Sequence, residues 1–373
     1  MIYLVGILGL VFLVMAIVVI SRMQSVMKSV NKDVQNDEPV ANNKLNGTMW
    51  IVTLVLGLVG TIWSYYAAKD GFLPEASSPH GRRTDELFWF SMALMMISFL
   101  AVNVLLFYFS WKYQYKKGNK ATFYPDNHKL ELIWTAIPAV VMAVLVFTGY
   151  RAWTDIMSEA PNNSQVIEIM GKQFGWMVRY GGTEDNKLGN YNYKLIDDNV
   201  QNPMGLDFSD EASFDDISHV SEMHVIKGRP VSLKIRARDV LHSVFIPHMR
   251  VKMDAVPGMP TKFWFTPDKS TDEMRAELGK PEFDYEIACT EVCGRGHFSM
   301  RMRLIVEDEA SFKKWQSEQP TVLSAVLQTK PDYISRIPEN LRAKAMKYAP
   351  AAPAADSTVA QTGTAAASSA ALR

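Results

Sequence analysis

Two cysteines, a histidine and a methionine fall within one short run, Cys289-Thr-Glu-Val-Cys293-Gly-Arg-Gly-His297-Phe-Ser-Met300. Soft sulfur donors with imidazole select copper or zinc, and a thioether is a poor zinc ligand but a good copper ligand. A single-copper electron-transfer site uses one Cys with two His and a weak Met, so the second cysteine is surplus to that design. Two thiolates can instead bridge two copper ions, spreading one electron's charge change over both. Each ion then needs a terminal imidazole, and only His297 is local. The other must come from a separate loop, where Asp239-Val-Leu-His242-Ser-Val-Phe-Ile-Pro247-His248 offers two histidines. His242 is the better placed, at the end of a predicted strand and before another apolar run. Spacing alone leaves His248 in competition, and a lone histidine is more often a structural residue than a ligand.

The elements that must carry this site fall into two kinds. Segments 1–20, 47–68, 87–111 and 132–150 hold no charged side chain and are long enough to cross a bilayer, which takes about 20 residues. Trp50, Trp63, Tyr65, Trp89, Trp111, Trp134 and Trp153 gather near their ends, as interfacial aromatic rings do. Segment 1–20 lacks the basic flank and the cleavage site of a signal peptide, so an uncleaved anchor is expected. Arg22, Lys28, Lys32 and Lys44 precede the second span and Lys112, Lys116, Lys117, Lys120 and Lys129 follow the third; only Lys69, Arg82 and Arg83 lie between those two spans. The positive-inside rule then puts everything after residue 150 outside the cytoplasm, in a Gram-negative periplasm, with the chain multi-pass in the inner membrane.

From about residue 164 the period changes to two. Val231, Leu233, Ile235 and Ala237 alternate with Ser232, Lys234, Arg236 and Arg238, and 261–266, 283–288 and 300–306 read alike. This predicts an all-β sandwich or small barrel over 151–310, behind two additional helices (1–68) and a helical hairpin (87–150). A short helical extension is expected over 311–347 and a disordered Ala/Ser/Thr/Pro tail over 348–373. Within 181–220, nine acidic residues face only Lys187 and Lys194, which reads as a solvated surface. The 39 basic residues balance the 39 acidic ones, against a nucleic-acid partner. Two cysteines, without C-x-x-C-H, exclude a disulfide scaffold and a covalently attached haem.

The run 239–258, DVLHSVFIPHMRVKMDAVPG, taken with the cysteine block, resembles the copper (CuA) domain of cytochrome c oxidase subunit II. The likeness runs from about 87 to 308 and implies a cupredoxin-like fold carrying a dinuclear copper centre. Carried onto matching positions, it implies Cys289 and Cys293 as bridging thiolates and His242 and His297 as terminal imidazoles. Met300 becomes a weak axial ligand and Glu291 a backbone-carbonyl donor, its side chain reaching a magnesium ion shared with subunit I. It further implies a respiratory haem–copper oxidase subunit that takes electrons from a c-type cytochrome and passes them to haem in subunit I, where oxygen reduction is coupled to proton translocation. A copper-free quinol-oxidase version is disfavoured by intact Cys289, Cys293 and Met300; a membrane-anchored copper carrier or chaperone outside any oxidase is the alternative.

Two more matches extend the resemblance. Glu131-Leu-Ile-Trp134-Thr-Ala-Ile-Pro138 places Glu131 where the family has a proton-uptake glutamate, although an acid in a first helical turn also complements the helix dipole. Gly171-Lys-Gln-Phe174-Gly-Trp176 matches the family's electron-relay stretch with Phe174 where a tryptophan is usual, and Trp176 is expected in the core. That departure, the acidic insert and the extra spans suggest a cytochrome donor held beside this subunit in a larger respiratory assembly.

Overall fold

The computed structural model describes residues 14–15, 17–23, 26, 43–116, 118–182 and 186–350. These described residues form two units, one of those up to 75 together with those in 83–154, the other of 76–82 together with those from 155 to 350. Of the first expected span, the described residues 14, 15 and 17–20 are helical and the rest lies outside the description, as does the tail from 351.

The first unit holds three helices long and apolar enough to cross a membrane, α1 (Asn43–Ala68), α2 (Pro79–Lys112) and α3 (His128–Ile156). Their apolar side chains point outward, as lipid rather than a core requires. Thr48, Thr53 and Thr61 return their hydroxyl protons to carbonyls one turn back, so α1 exposes no unpaired hydroxyl there. α1 meets the end of α2 where Gly47 leaves room for the Gln114 side chain, which a Cβ would approach to 2.7 Å. Asn43 donates to the Tyr115 carbonyl (3.1 Å), and Trp50 lies 5.6 Å from Phe107. Pro138 sits inside α3.

The second unit is a β-sandwich with the cupredoxin-like architecture expected. One sheet has the order β3 (Ile217–His219), β2 (Gly175–Tyr180), β1 (Gln165–Lys172), β5 (Val231–Ala237), β8 (Thr261–Phe265). The other runs β4 (Glu222–Ile226), β10 (Arg301–Glu307), β9 (Tyr285–Cys289), β6 (His242–Ile246), β7 (Val251–Ala255). Strand alternation sends Ile167, Ile169, Trp176, Val178, Leu233 and Ile235 inward to meet Val244, Ile287 and Leu304. A short helix, α4 (Thr271–Leu278), is started by a capping box between Ser270 and Glu273.

A second core lies on the opposite face of β1 and β2. Met170 and Met177 pack there with Met204, Leu206, Phe208 and Phe214 of the insert and with Val322, Leu323, Val326 and Leu327 of α6 (Val322–Thr329). α5 (Glu309–Glu318) sets Phe312 and Trp315 against Tyr180, and α7 (Glu339–Ala345) buries Ala345 in the second core. Tyr348 and Ala349, where the tail was expected to begin, also pack against it. The insert's acids do not form a featureless solvated surface. Asp197, Asp207 and Asp210 accept backbone N–H bonds that close their own turns, Asp198 pairs with Arg238, and Asp216 is fully buried against Arg179 at 2.9 Å. Arg179 also reaches Glu168 at 2.6 Å, and Glu168 pairs with Arg236, making a buried four-residue network on the same face. Burial pushes the Asp216 carboxyl up to about 7 despite Arg179.

Candidate metal centre

β6 opens on His242 and β9 closes on Cys289, in neighbouring strands paired at Val244 and Cys289. The loop after β9 is held at both ends: Thr290 N–H donates to the Ser243 carbonyl (3.2 Å) and Cys289 N–H to the Met300 carbonyl (3.1 Å). It reverses at Gly294, whose φ of +134° is one that L side chains rarely adopt. A turn at His297–Ser299 then returns Met300 to the core.

These elements converge on one cluster. The Cys289 and Cys293 Sγ atoms are 3.9 Å apart, both as free thiols. His242 Nδ1 lies 3.9 Å from Cys289 Sγ and His297 Nδ1 3.7 Å from Cys293 Sγ. Met300 Sδ is 3.7 Å from Cys293 Sγ, and the Glu291 carbonyl 3.2 Å from Cys289 Sγ. His242, Cys289 and Cys293 are buried. All six residues singled out in the sequence as copper donors are therefore brought together. His248 is not: its ring packs against Phe283 and Tyr285, each at 5.2 Å.

The donor set fits metal ions. With metal–thiolate bonds of roughly 2.3 Å and metal–imidazole bonds of about 2.0 Å, one ion can touch both members of any pair closer than about 4.3 Å, as all these are. Protons are the obstacle: burial, then the neighbouring Cys289, pushes the Cys293 thiol up to about 11. Bound cations remove that obstacle, because thiolates take up metal with release of their protons.

Three supporting residues went unnoticed in the sequence. Asp239 accepts from His242 Nε2–H (2.8 Å) and from the backbone N–H groups of Val240 (2.7 Å) and Gln173 (2.8 Å). Burial raises the Asp239 carboxyl, but these bonds together hold it below its ordinary range. A carboxylate on one ring nitrogen fixes the tautomer and leaves the other nitrogen facing the metal. Gln173 also donates its side-chain amide to the Cys293 carbonyl at 2.5 Å, so the β1–β2 turn ties both ligand-bearing loops together. Gly171 lets the His242 ring lie against β1, since a Cβ there would be 2.9 Å from the imidazole carbons. The available signals were Asp239 three residues before His242 and the Gly171–Trp176 run itself.

Phe174 is 42% exposed and its ring covers Gly294 and Gly296, while Trp176 is 2% exposed, its ring 6.0 Å from that of His242. Glu131 lies in the first turn of α3, where His128 Nδ1 approaches its carboxylate to 3.1 Å.

A membrane-anchored cupredoxin-type domain with a two-cysteine, two-histidine, one-methionine cluster defines the class. Residues 64–151 match the family model for the transmembrane domain of cytochrome c oxidase subunit II, and residues 165–308 match that for its periplasmic domain. The chain belongs to the cytochrome c oxidase subunit II family, which makes it a membrane subunit of a haem–copper oxidase with a periplasmic domain. It is 33% identical over 224 residues to the alternative cytochrome c oxidase subunit 2 of Bradyrhizobium diazoefficiens, covering 60% of this chain and 75% of that one. It is 26% identical over 310 residues to cytochrome c oxidase subunit 2 of Thermostichus vulcanus, covering 76% and 88%. The periplasmic domain of subunit II of cytochrome oxidase of Bradyrhizobium japonicum aligns with 43% of this chain and 95% of its own at 22% identity and a TM-score of 0.29. A copper carrier or chaperone outside an oxidase is not favoured.

Proposed function

We propose that this chain is the electron-accepting subunit of its oxidase, taking single electrons from a c-type cytochrome and delivering them to haem in subunit I. The observation that carries the reading is the pair of thiols 3.9 Å apart, each with its own histidine within 3.9 Å. When bound there, two coppers supply a one-electron couple shared between the ions. Cys289, Cys293, His242, His297, Met300 and the Glu291 carbonyl would hold them. Asp239 holds the His242 proton on Nε2 and so presents Nδ1 to the cluster, and the burial of His242, Cys289, Cys293 and Met300 keeps water out. The test is oxygen uptake by the purified complex with reduced c-type cytochrome as donor. Cys289→Ser should abolish it while the complex stays assembled with its haem, and retained uptake would overturn the reading.

The Glu291 side chain is proposed to ligate a magnesium ion shared with subunit I, to be tested by manganese substitution followed spectroscopically in Glu291→Gln. Glu131 is proposed to admit protons from the cytoplasmic side; Glu131→Gln should slow proton-coupled oxygen reduction while electron delivery to the copper site stays fast. The donor is proposed to be held beside this subunit, because Phe174 replaces the usual tryptophan at the docking surface; reduction by soluble cytochrome c should then be slow and weakly dependent on salt.

A further inference from the structure

The outer face of the β5–β8 edge carries an arrangement that electron transfer does not use. Lys234 and Lys262 are directly opposite one another in the antiparallel pair, both exposed. Like charges facing across a strand pair are destabilising unless something neutralises them. Among the described residues neither ammonium has an ion-pair or hydrogen-bond partner. Glu168, the register partner of Lys234 on β1, is occupied by Arg179 and Arg236. Both lysines line a cavity of about 510 Å³ together with Met157, Tyr191, Arg236 and Met253. Arg236 is stacked on the Tyr191 ring at 3.6 Å, which fixes a cationic, partly aromatic wall. Met157, Met253 and Pro260 supply the apolar part of the lining, and the Glu168 carboxylate, held by Arg179 and Arg236, and Thr261 complete it.

The position of this cleft identifies its surroundings. Met157 is the residue immediately after α3, whose Trp134 and Trp153 are separated by 19 positions and thus by roughly 28 Å of helix, close to a hydrocarbon thickness of about 30 Å. Trp153 then marks the interface and Met157 the headgroup level. On the same strand as Lys262, Trp264 packs edge-on against His80 at the start of α2, their rings 4.2 Å apart.

We propose that Lys234 and Lys262 form a binding site for the phosphate of an anionic phospholipid headgroup, with the apolar lining against the glycerol and upper acyl region. The site would anchor the periplasmic domain to the membrane surface independently of the metal loop. The test uses the full-length chain purified in its oxidase complex in a neutral detergent. Lysine acylation, read residue by residue by mass spectrometry, is followed during titration with short-chain phosphatidylglycerol, short-chain phosphatidylcholine or inorganic phosphate. Phosphatidylglycerol should protect Lys234 and Lys262, and the other two should not at equal concentration. In Lys234→Gln protection of Lys262 should need about fivefold more lipid, the change expected for one surface cation near an anionic headgroup. Copper content, measured alongside, should be unchanged in that variant. Protection by phosphate alone would assign the site to a free anion, and equal protection by phosphatidylcholine would reduce it to an apolar groove. Lysines unreactive before any lipid is added would place a protein partner there. Each of these outcomes would overturn the proposal, and the wild-type comparison stands even if the variant does not assemble.

Discussion

Replacing Gly171 with alanine should damage the metal centre from a position that binds no metal. A Cβ at this position would lie 2.9 Å from Cδ2 and Cγ of His242 and 3.0 Å from Cζ3 of Trp176. Carbon atoms settle at about 3.5–4.0 Å, so the methyl group overlaps both rings by roughly 0.5–1 Å. Neither ring can swing away, because His242 is fully buried and Trp176 is 2% exposed. Overpacking of this kind costs about 1–3 kcal/mol, offset by about 0.4–1 kcal/mol from the stiffer unfolded chain. The net loss, at most about 2.6 kcal/mol and centred on about 1.3 kcal/mol, corresponds to a melting shift of roughly 3–5 °C for a domain of this size. Gly175, four residues on in β2, is the internal control: a Cβ there meets nothing within 4 Å, so Gly175→Ala should be neutral or slightly stabilising. The assay is thermal melting of the periplasmic domain in the full-length, copper-loaded chain, with the copper spectrum recorded in parallel. Gly171→Ala should melt lower and show altered copper–histidine coupling. If it melts with Gly175→Ala and keeps the wild-type spectrum, the argument that β1 positions the His242 ring is wrong.

Asp239→Asn should weaken copper binding by roughly 10- to 100-fold, measured by chelator competition, because the His242 ring loses the carboxylate that orients it; unchanged affinity would exclude that role. Arg179→Met should destabilise the domain by about 3–5 kcal/mol in denaturant unfolding, since Glu168 loses one of its two cations and buried Asp216 its paired guanidinium; a loss below about 1 kcal/mol would mean the network is solvated. Burial, then Arg250, lowers the His248 pKa from 6.5 to about 4, so the unfolded chain binds a proton that the folded chain refuses. Stability should be full above pH 6.5 and fall as the pH drops toward 4, and His248→Gln should flatten this part of the urea-midpoint profile; an unchanged slope would point to other groups.

The metal loop was legible because its donors are local: a cysteine pair, a histidine and a methionine with spacings that one turn of chain can close. The choice of His242 over His248 rested on the resemblance rather than on spacing, because both follow the same strand and tertiary packing sends one to the thiols and the other between Phe283 and Tyr285. Membrane helices were legible from composition, but α2 begins at Pro79, well before its apolar stretch, since polar residues such as Arg82 and Glu86 extend a helix without registering as membrane. The second core escaped the reading for a different reason. Val322, Leu323, Val326 and Leu327 have helical periodicity, yet their partners lie on the far side of β1 and β2 and in an insert whose acids look solvent-directed. Nothing in the local sequence tells an aspartate that closes a turn, such as Asp210, from one buried on an arginine, such as Asp216.

Cys289, Cys293, His242 and His297 are proposed to hold two coppers as one electron-accepting unit. Electron paramagnetic resonance of the purified complex, with copper quantified per chain and the signal compared between wild type and Cys293→Ser, tests it most directly. Two coppers per chain at this site and an unpaired electron coupled equally to both, lost in the variant, are expected. One copper per chain with coupling to a single nucleus, or zinc in its place, would contradict this.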